Sequence, residues 1–141
     1  MNTAQTAMIL PVLALVGWTF VMWAWMYATR IPAIQRANID MEELSRTGAP
    51  LEMPAPVARV ADNYNHLHEQ PTIFYAVCLS AALLGAGDGL QVTLAWAYVG
   101  IRIVHSLIQA IRNPIFIRFL TFVVASLVLF VLFARTLLAA L

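Results

Sequence analysis

Long apolar stretches alternate with short polar breaks along this chain. The first apolar stretch, from about 8 to 28, carries no charge and is long enough to cross a bilayer, for which about 20 helical residues suffice. No Lys or Arg precedes Arg30, so the basic start of a cleaved signal peptide is missing and we expect a retained helix. Apolar stretches recur after residue 55. The predicted transmembrane helices therefore cover about 8–28, 56–86, 90–111 and 115–139.

Proline and glycine mark the limits of the later helices. Pro56 suits the first turn of the second helix, and Pro71 is expected to bend that helix. The cluster Gly85, Gly87, Asp88, Gly89 and the pair Asn113, Pro114 are typical of short turns. The charged, proline-containing segment 29–55 is then the one substantial loop. The pattern predicts a single domain, residues 1–141, that is an all-α integral membrane protein with a four-transmembrane-helix bundle.

Composition supports a membrane protein and excludes several other classes. Hydrophobic residues make up 62% of the chain and charged residues only 11%, so a water-soluble domain could not cover its apolar surface. The net charge is +1 and every basic residue is Arg, without the basic patch of a nucleic-acid-binding protein. The one cysteine, Cys78, excludes an intramolecular disulfide, and its apolar neighbours predict an inert thiol.

The arginines predict the orientation in the membrane. With four spans, the 29–55 loop and the turn before 115 share one side, whereas the opposite side has only Arg135. The arginines expected on or next to the first side are Arg30, Arg36, Arg46, Arg59, Arg112 and Arg118. By the positive-inside rule, the long loop is cytoplasmic and both termini are outside. The short loops favour a bacterial inner (plasma) membrane. Arg118 and Arg135 are expected to snorkel at opposite ends of the fourth helix.

Polar residues recur on one face of the third predicted helix. Tyr98, Arg102, His105 and Gln109 fall within a stripe of about 60°, at about 100° per residue. An arginine near the bilayer centre costs about 2.5–3.5 kcal/mol, so Arg102 should face the bundle interior or a wet cavity. A purely structural polar clamp between helices is the alternative interpretation.

The first half of the second helix has a similar stripe of about 120°, and an ordinary cytoplasmic stem with ion pairs along the helix would show the same pattern. Its members are Arg59, Asp62, Asn63, His66, Glu69 and Gln70. Together the two stripes could line a hydrophilic pocket that opens toward the cytoplasm. His66 and His68 lie about 160° apart on a helix and cannot hold one ion together, so no metal site is expected.

Two segments resemble the MAPEG family, the membrane-associated proteins in eicosanoid and glutathione metabolism, which includes microsomal glutathione transferases. The segment GIRIVHSLIQ, Gly100–Gln109, is similar to the third-helix signature of that family. Asn65, Glu69, Pro71 and Phe74 resemble its second-helix pattern. The resemblance implies a homotrimer with glutathione sites between subunits near the cytoplasmic side, and lipophilic substrates that arrive from the bilayer.

The resemblance also implies roles for individual residues. Arg102 and His105 would contact glutathione from the third helix, and Asn65 and Glu69 from the second. Arg118 would stabilise the thiolate, which agrees with the chemistry: a free thiol has a pKa of about 8.5, and a nearby guanidinium favours the anion.

The chain departs from the family pattern at three places. Gln109 stands where glutathione-using members have Tyr, and Ala61 where they usually have Arg. Glu69 follows Asn65 by four residues, where three are usual. Arg59, two residues before the usual Arg position, is the candidate replacement, and Gln109 is the candidate contact in place of Tyr.

The leading hypothesis is a glutathione-dependent transferase or peroxidase that acts on lipophilic electrophiles. A small transport or proton-relay protein is a second hypothesis, since intramembrane Arg, His and Glu also serve ion pathways. A third is a non-catalytic membrane scaffold in which the polar residues hold subunits together.

Overall fold

The computed structural model describes residues 3–141, and these residues form helices and connecting turns without a strand. Of these residues, 83% are helical. Three helices in the described part of the chain, Thr3–Arg36, Gly89–Ile111 and Ile115–Ala140, are long and apolar enough to cross a membrane by length and composition. The helices in chain order are α1 Thr3–Arg36, α2 Met41–Thr47, α3 Ala55–His66, α4 Gln70–Leu83, α5 Gly89–Ile111 and α6 Ile115–Ala140.

The first helix is longer than the apolar pattern predicts. It was expected to end near residue 28, but α1 continues to Arg36 through Pro32. The predicted loop 29–55 therefore begins with helix and also contains the short α2. Asp40 starts α2 because its Oδ1 accepts the Glu42 and Glu43 amides, and Gly48 ends it with a φ of 68°. Apolar periodicity misses α2 because that helix is short and polar and is held by its local caps.

The second predicted helix is two helices. The expected span 56–86 is interrupted at 67–69, between α3 and α4, and α4 already ends at Leu83. Pro71 has no N–H to donate to the Leu67 carbonyl, and Glu69 leaves the helical region at φ −91° and ψ −100°. The bend expected at Pro71 is therefore a complete break, placed just before it. The third and fourth predicted helices differ from α5 and α6 by one residue at one end.

The helices pack around α1 and α5. Helix α1 contacts α3, α4 and α5, and α5 makes its most extensive contact with α6. Met8 and Leu15 of α1 and Phe74 and Cys78 of α4 are fully buried in the shared core. The turn before α5 approaches α1 closely: a Cβ on Gly87 would lie 2.6 Å from the Ala4 carbonyl oxygen. Much of the opposite surface of α6 is apolar and exposed, which suits lipid.

A polar cluster ties the start of α5 to the end of α6. Asp88 caps α5 by accepting the Gln91 amide at 2.7 Å, and its other oxygen pairs with Arg135. The Arg135 Nε also donates to Gln91 Oε1 at 3.0 Å. The buried Gln91 Nε2 donates to Thr136 Oγ1 at 2.7 Å. Arg135, which was expected to snorkel at the end of the fourth helix, thus also joins α6 to α5.

Candidate functional site

A cavity of about 500 Å³ lies between the end of α3, the α3–α4 break, α5 and the first turns of α6. Its α3, break and α5 sides are polar, whereas α6 contributes mostly aromatic and aliphatic side chains. The lining residues are Asp62, Asn65, His66, Glu69, His105, Gln109, Ile115, Arg118, Phe119 and Phe122. The break places Glu69, at the N-cap of α4, beside this cavity.

His66 stands at the centre of the polar side. Its Nδ1 lies 2.6 Å from Glu69 Oε2, an i,i+3 pair across the end of α3. The imidazole ring packs against the His105 ring at 5.2 Å between centroids and against the Phe122 ring at 5.5 Å. Three helices and the break therefore meet at one ring.

His105 and Gln109 reach the cavity from α5. His105 Nδ1 lies 3.1 Å from Thr121 Oγ1 of α6, and its Nε2 is buried without a partner among the described residues. Gln109 Oε1 accepts a hydrogen bond of 2.9 Å from the Nδ2 of Asn63, a fully buried α3 residue. The hydrogen bond between Asn63 and Gln109 joins α3 to α5 beside the cavity. Asn63 belongs to the predicted stripe, but its partner could not be read from the sequence.

Arg118 enters the cavity from the first turn of α6 and is half-buried. Its Nη1 donates to Asn113 Oδ1 at 2.7 Å. Asn113 has a φ of 54°, a conformation that Asn tolerates better than most residues, and its amide donates to the Ile108 carbonyl at 2.8 Å. One residue thus ends α5 and fixes the guanidinium. The sequence predicted Asn113 only as the end of the third helix.

Arg102 lies behind the cavity, not among its lining residues. It is 0% exposed, and its Nη2 donates to the His66 carbonyl at 3.2 Å. Its Nε and Nη1 have no partner among the described residues. The expectation that Arg102 turns toward the bundle interior agrees with this burial. Tyr98, the first member of the same stripe, serves packing: it stacks on Phe74 at 4.5 Å.

In a comparison with protein-family models, residues 8–138 match the MAPEG family. The chain belongs to the MAPEG family. Neither the search of curated proteins nor the search of solved structures found a match. Membership of this membrane family and three helices that can span a bilayer make the chain an integral membrane protein. Membership of the MAPEG family also relates the chain, at the level of the family, to glutathione-linked membrane functions.

Several residues of this MAPEG protein lie away from the cavity. Arg59, the candidate replacement for the usual Arg, donates from Nε to the Ala55 carbonyl of its own helix at 3.2 Å and does not line the cavity. Cys78 is a buried free thiol on α4, outside the lining. Among residues 3–141, no group of three or more His, Cys, Asp or Glu side chains is placed to hold a metal ion.

Proposed function

We propose that the protein is a glutathione-dependent transferase or peroxidase that acts on lipophilic electrophiles. The observation that carries the proposal is the position of Arg118, an always-charged guanidinium held by Asn113 beside the polar residues of a 500 Å³ cavity. Cavities of about 300–1,000 Å³ are typical of small-molecule sites. The aromatic wall from Phe119 and Phe122 offers an apolar surface next to that charge.

The charges and hydrogen-bonding groups fit a tripeptide thiol. We assign Arg118 to the thiolate, because a guanidinium stabilises the anion of a group that is mostly protonated at neutral pH. Asn65, Glu69, His105 and Gln109 line the same cavity and are proposed to contact the peptide amides and amine. Gln109 supplies an amide where a phenol is usual, and its carbonyl oxygen already serves Asn63.

Arg102 is proposed to attract a glutathione carboxylate. Its guanidinium is wholly buried behind the His66 carbonyl and does not line the cavity, so it would act through its positive charge and not through a hydrogen bond to the ligand. Charges attract more strongly across protein than across water, so this charge is felt in the cavity. Arg59 would contact glutathione only if its side chain left the Ala55 carbonyl.

The proposed setting is a four-helix bundle in a homotrimer. α3 and α4, of 12 and 14 residues, together exceed the roughly 20 residues that a crossing needs, so they can form the fourth span. The site then lies near the cytoplasmic side between subunits, where the long loop also lies, with both termini outside. The proposed membrane is a bacterial inner (plasma) membrane, from which lipophilic substrates enter along α6.

Calorimetry of glutathione binding to the detergent-purified protein tests this function. We compare the wild type with Arg118→Met, and we use Arg112→Met as the matched control, because Arg112 is exposed and does not line the cavity. Wild type and control should bind glutathione and show the ultraviolet absorbance of a bound thiolate. Arg118→Met should lose that absorbance. A folded wild type that does not bind millimolar glutathione would refute the proposal.

A proton relay is the second candidate, because the His66–His105 ring contact links Glu69 to the bundle interior. It predicts proton movement across proteoliposomes that His105→Ala abolishes. Proton movement equal to that of empty liposomes would exclude it.

A further inference from the structure

We infer that His66 is the catalytic base that takes the proton from the thiol, and that Glu69 is its positioning residue. The inference rests on the proposed function and adds a residue to it. Arg118 can stabilise a thiolate but cannot accept the proton, because a guanidinium stays charged at any physiological pH. The site therefore needs a separate proton acceptor within reach of the same thiol.

The contact with Glu69 sets the tautomer of His66. An ionised carboxylate only accepts hydrogen bonds, so the 2.6 Å contact places the ring hydrogen on Nδ1. The lone pair is then on Nε2, the nitrogen that can act as a base. Packing against His105 and Phe122 holds the ring plane, so both the direction and the rotation of the imidazole are fixed. A base oriented by a third group is the arrangement that activates nucleophiles in many enzymes.

The other groups that face the cavity are poorer candidates. The Nε2 of His105 is buried away from solvent, and its Nδ1 lies beside the Thr121 hydroxyl. The His66 side chain, in contrast, is 22% exposed and lines the cavity. Asp62 lines the cavity as a carboxylate, a much weaker base than imidazole. The charges around the His66 ring are Glu69 at the break, Arg102 behind its carbonyl and Arg118 on α6.

In the proposed step, glutathione gives its proton to His66 and bonds through its sulfur to the electrophile. The S–H bond of glutathione breaks, its proton passes to His66 Nε2, and the electron pair stays on sulfur beside Arg118. With an activated chloronitrobenzene as the electrophile, the thiolate forms a C–S bond at the ring carbon that bears chlorine. Chloride leaves with the C–Cl electron pair, and the imidazolium then releases its proton to water.

The pH dependence of transfer distinguishes this role from a structural one. A free thiol of pKa about 8.5 is only about 3% ionised at pH 7, so His66→Gln should lower the transfer rate by up to about 30-fold at that pH. The deficit should shrink as pH rises and vanish near pH 9, where the thiol ionises unaided. His68→Gln is the matched control: His68 is exposed, contacts the Tyr64 carbonyl at 2.9 Å and does not line the cavity. It should retain the wild-type rate and pH profile.

Two further measurements decide the result. Glu69→Gln should show the same pH-dependent loss in weaker form, which keeps the inference testable if His66→Gln does not fold. Added imidazole should restore part of the rate of His66→Ala and leave the wild type unchanged. A wild-type enzyme that transfers glutathione, with His66→Gln equally fast at pH 7, would refute the His66 role alone. A wild type that neither binds nor transfers glutathione would refute this role together with the proposed function.

Discussion

Replacing Arg102 by Met should stabilise the protein and weaken its binding of glutathione. Arg102 is wholly buried, and only its Nη2 has a partner, the His66 carbonyl. That carbonyl also accepts the Glu69 amide at 3.4 Å, so it keeps a partner when the guanidinium is removed. Met fills a similar length without charge, and removing a buried charge in favour of an apolar side chain often stabilises a protein.

The size of the effect follows from the three guanidinium nitrogens. Nε and Nη1 are buried without partners among the described residues, and each such donor costs about 1–3 kcal/mol. The bond to the His66 carbonyl returns about 1.5–3 kcal/mol because its donor is charged. At the middle of these ranges the balance favours Arg102→Met by roughly 2 kcal/mol, which corresponds to an increase of about 6 °C in the unfolding midpoint for a chain of this size.

Tryptophan fluorescence during heating measures that midpoint in detergent, with and without glutathione. Wild type should gain about 2.7 kcal/mol at a glutathione concentration of 100 times Kd, whereas Arg102→Met should gain less at the same concentration because its Kd is higher. Arg112→Met, at an exposed position, controls for the general loss of a charge. A lower midpoint for Arg102→Met than for wild type would refute the reasoning, because it would mean that the guanidinium is paired in the assembled protein.

Two other substitutions test the packing and the site. Gly87→Ala places a Cβ 2.6 Å from the Ala4 carbonyl oxygen and should lower the unfolding midpoint by the equivalent of about 1–3 kcal/mol. Gly100→Ala is the control, because Gly100 has open space around it inside α5 and its substitution should not lower the midpoint. Equal midpoints for the two variants would contradict the close approach of Gly87 to Ala4. Asn113→Gly keeps the positive φ but removes the hydrogen-bond acceptor of Arg118. The transfer rate should therefore fall roughly 10-fold, while the unfolding midpoint stays unchanged. An unchanged rate would show that Arg118 does not need this hydrogen bond.

The sequence predicts the interior face of α5 well, because an arginine in an apolar helix has few places to go. Tyr98, Arg102, His105 and Gln109 all lie on the buried side of that helix. What it cannot supply is the partner of each group. The bond between Gln109 and Asn63 joins residues 46 positions apart, and no local pattern encodes it.

The sequence is weaker where backbone geometry decides. Pro71 signals a disturbance in the second helix. Whether the helix bends or breaks depends on which donors can bond the carbonyls that lose their helical partners. Here Arg102 of α5 donates to the His66 carbonyl. Asn113 carries a turn signal, whereas its second use as the acceptor for Arg118 appears only once α5 and α6 are folded back on each other. Arg59 shows the reverse case, a residue on the correct helix whose side chain turns to its own backbone.

The break between α3 and α4 has a consequence for how insertions and substitutions are tolerated. Both sides of the break are fastened to other helices: Asn63 to Gln109 on one side, and on the other Gln70, which accepts from Tyr98 and donates to Ser126. The relative rotation of α3 and α4 is therefore set by α5 and α6, not by a continuous helix. One residue added or removed at 67–69 would shift α4 by about 100° against these anchors. The exposed position 68 within the break should accept many side chains, but the length of the break should not change.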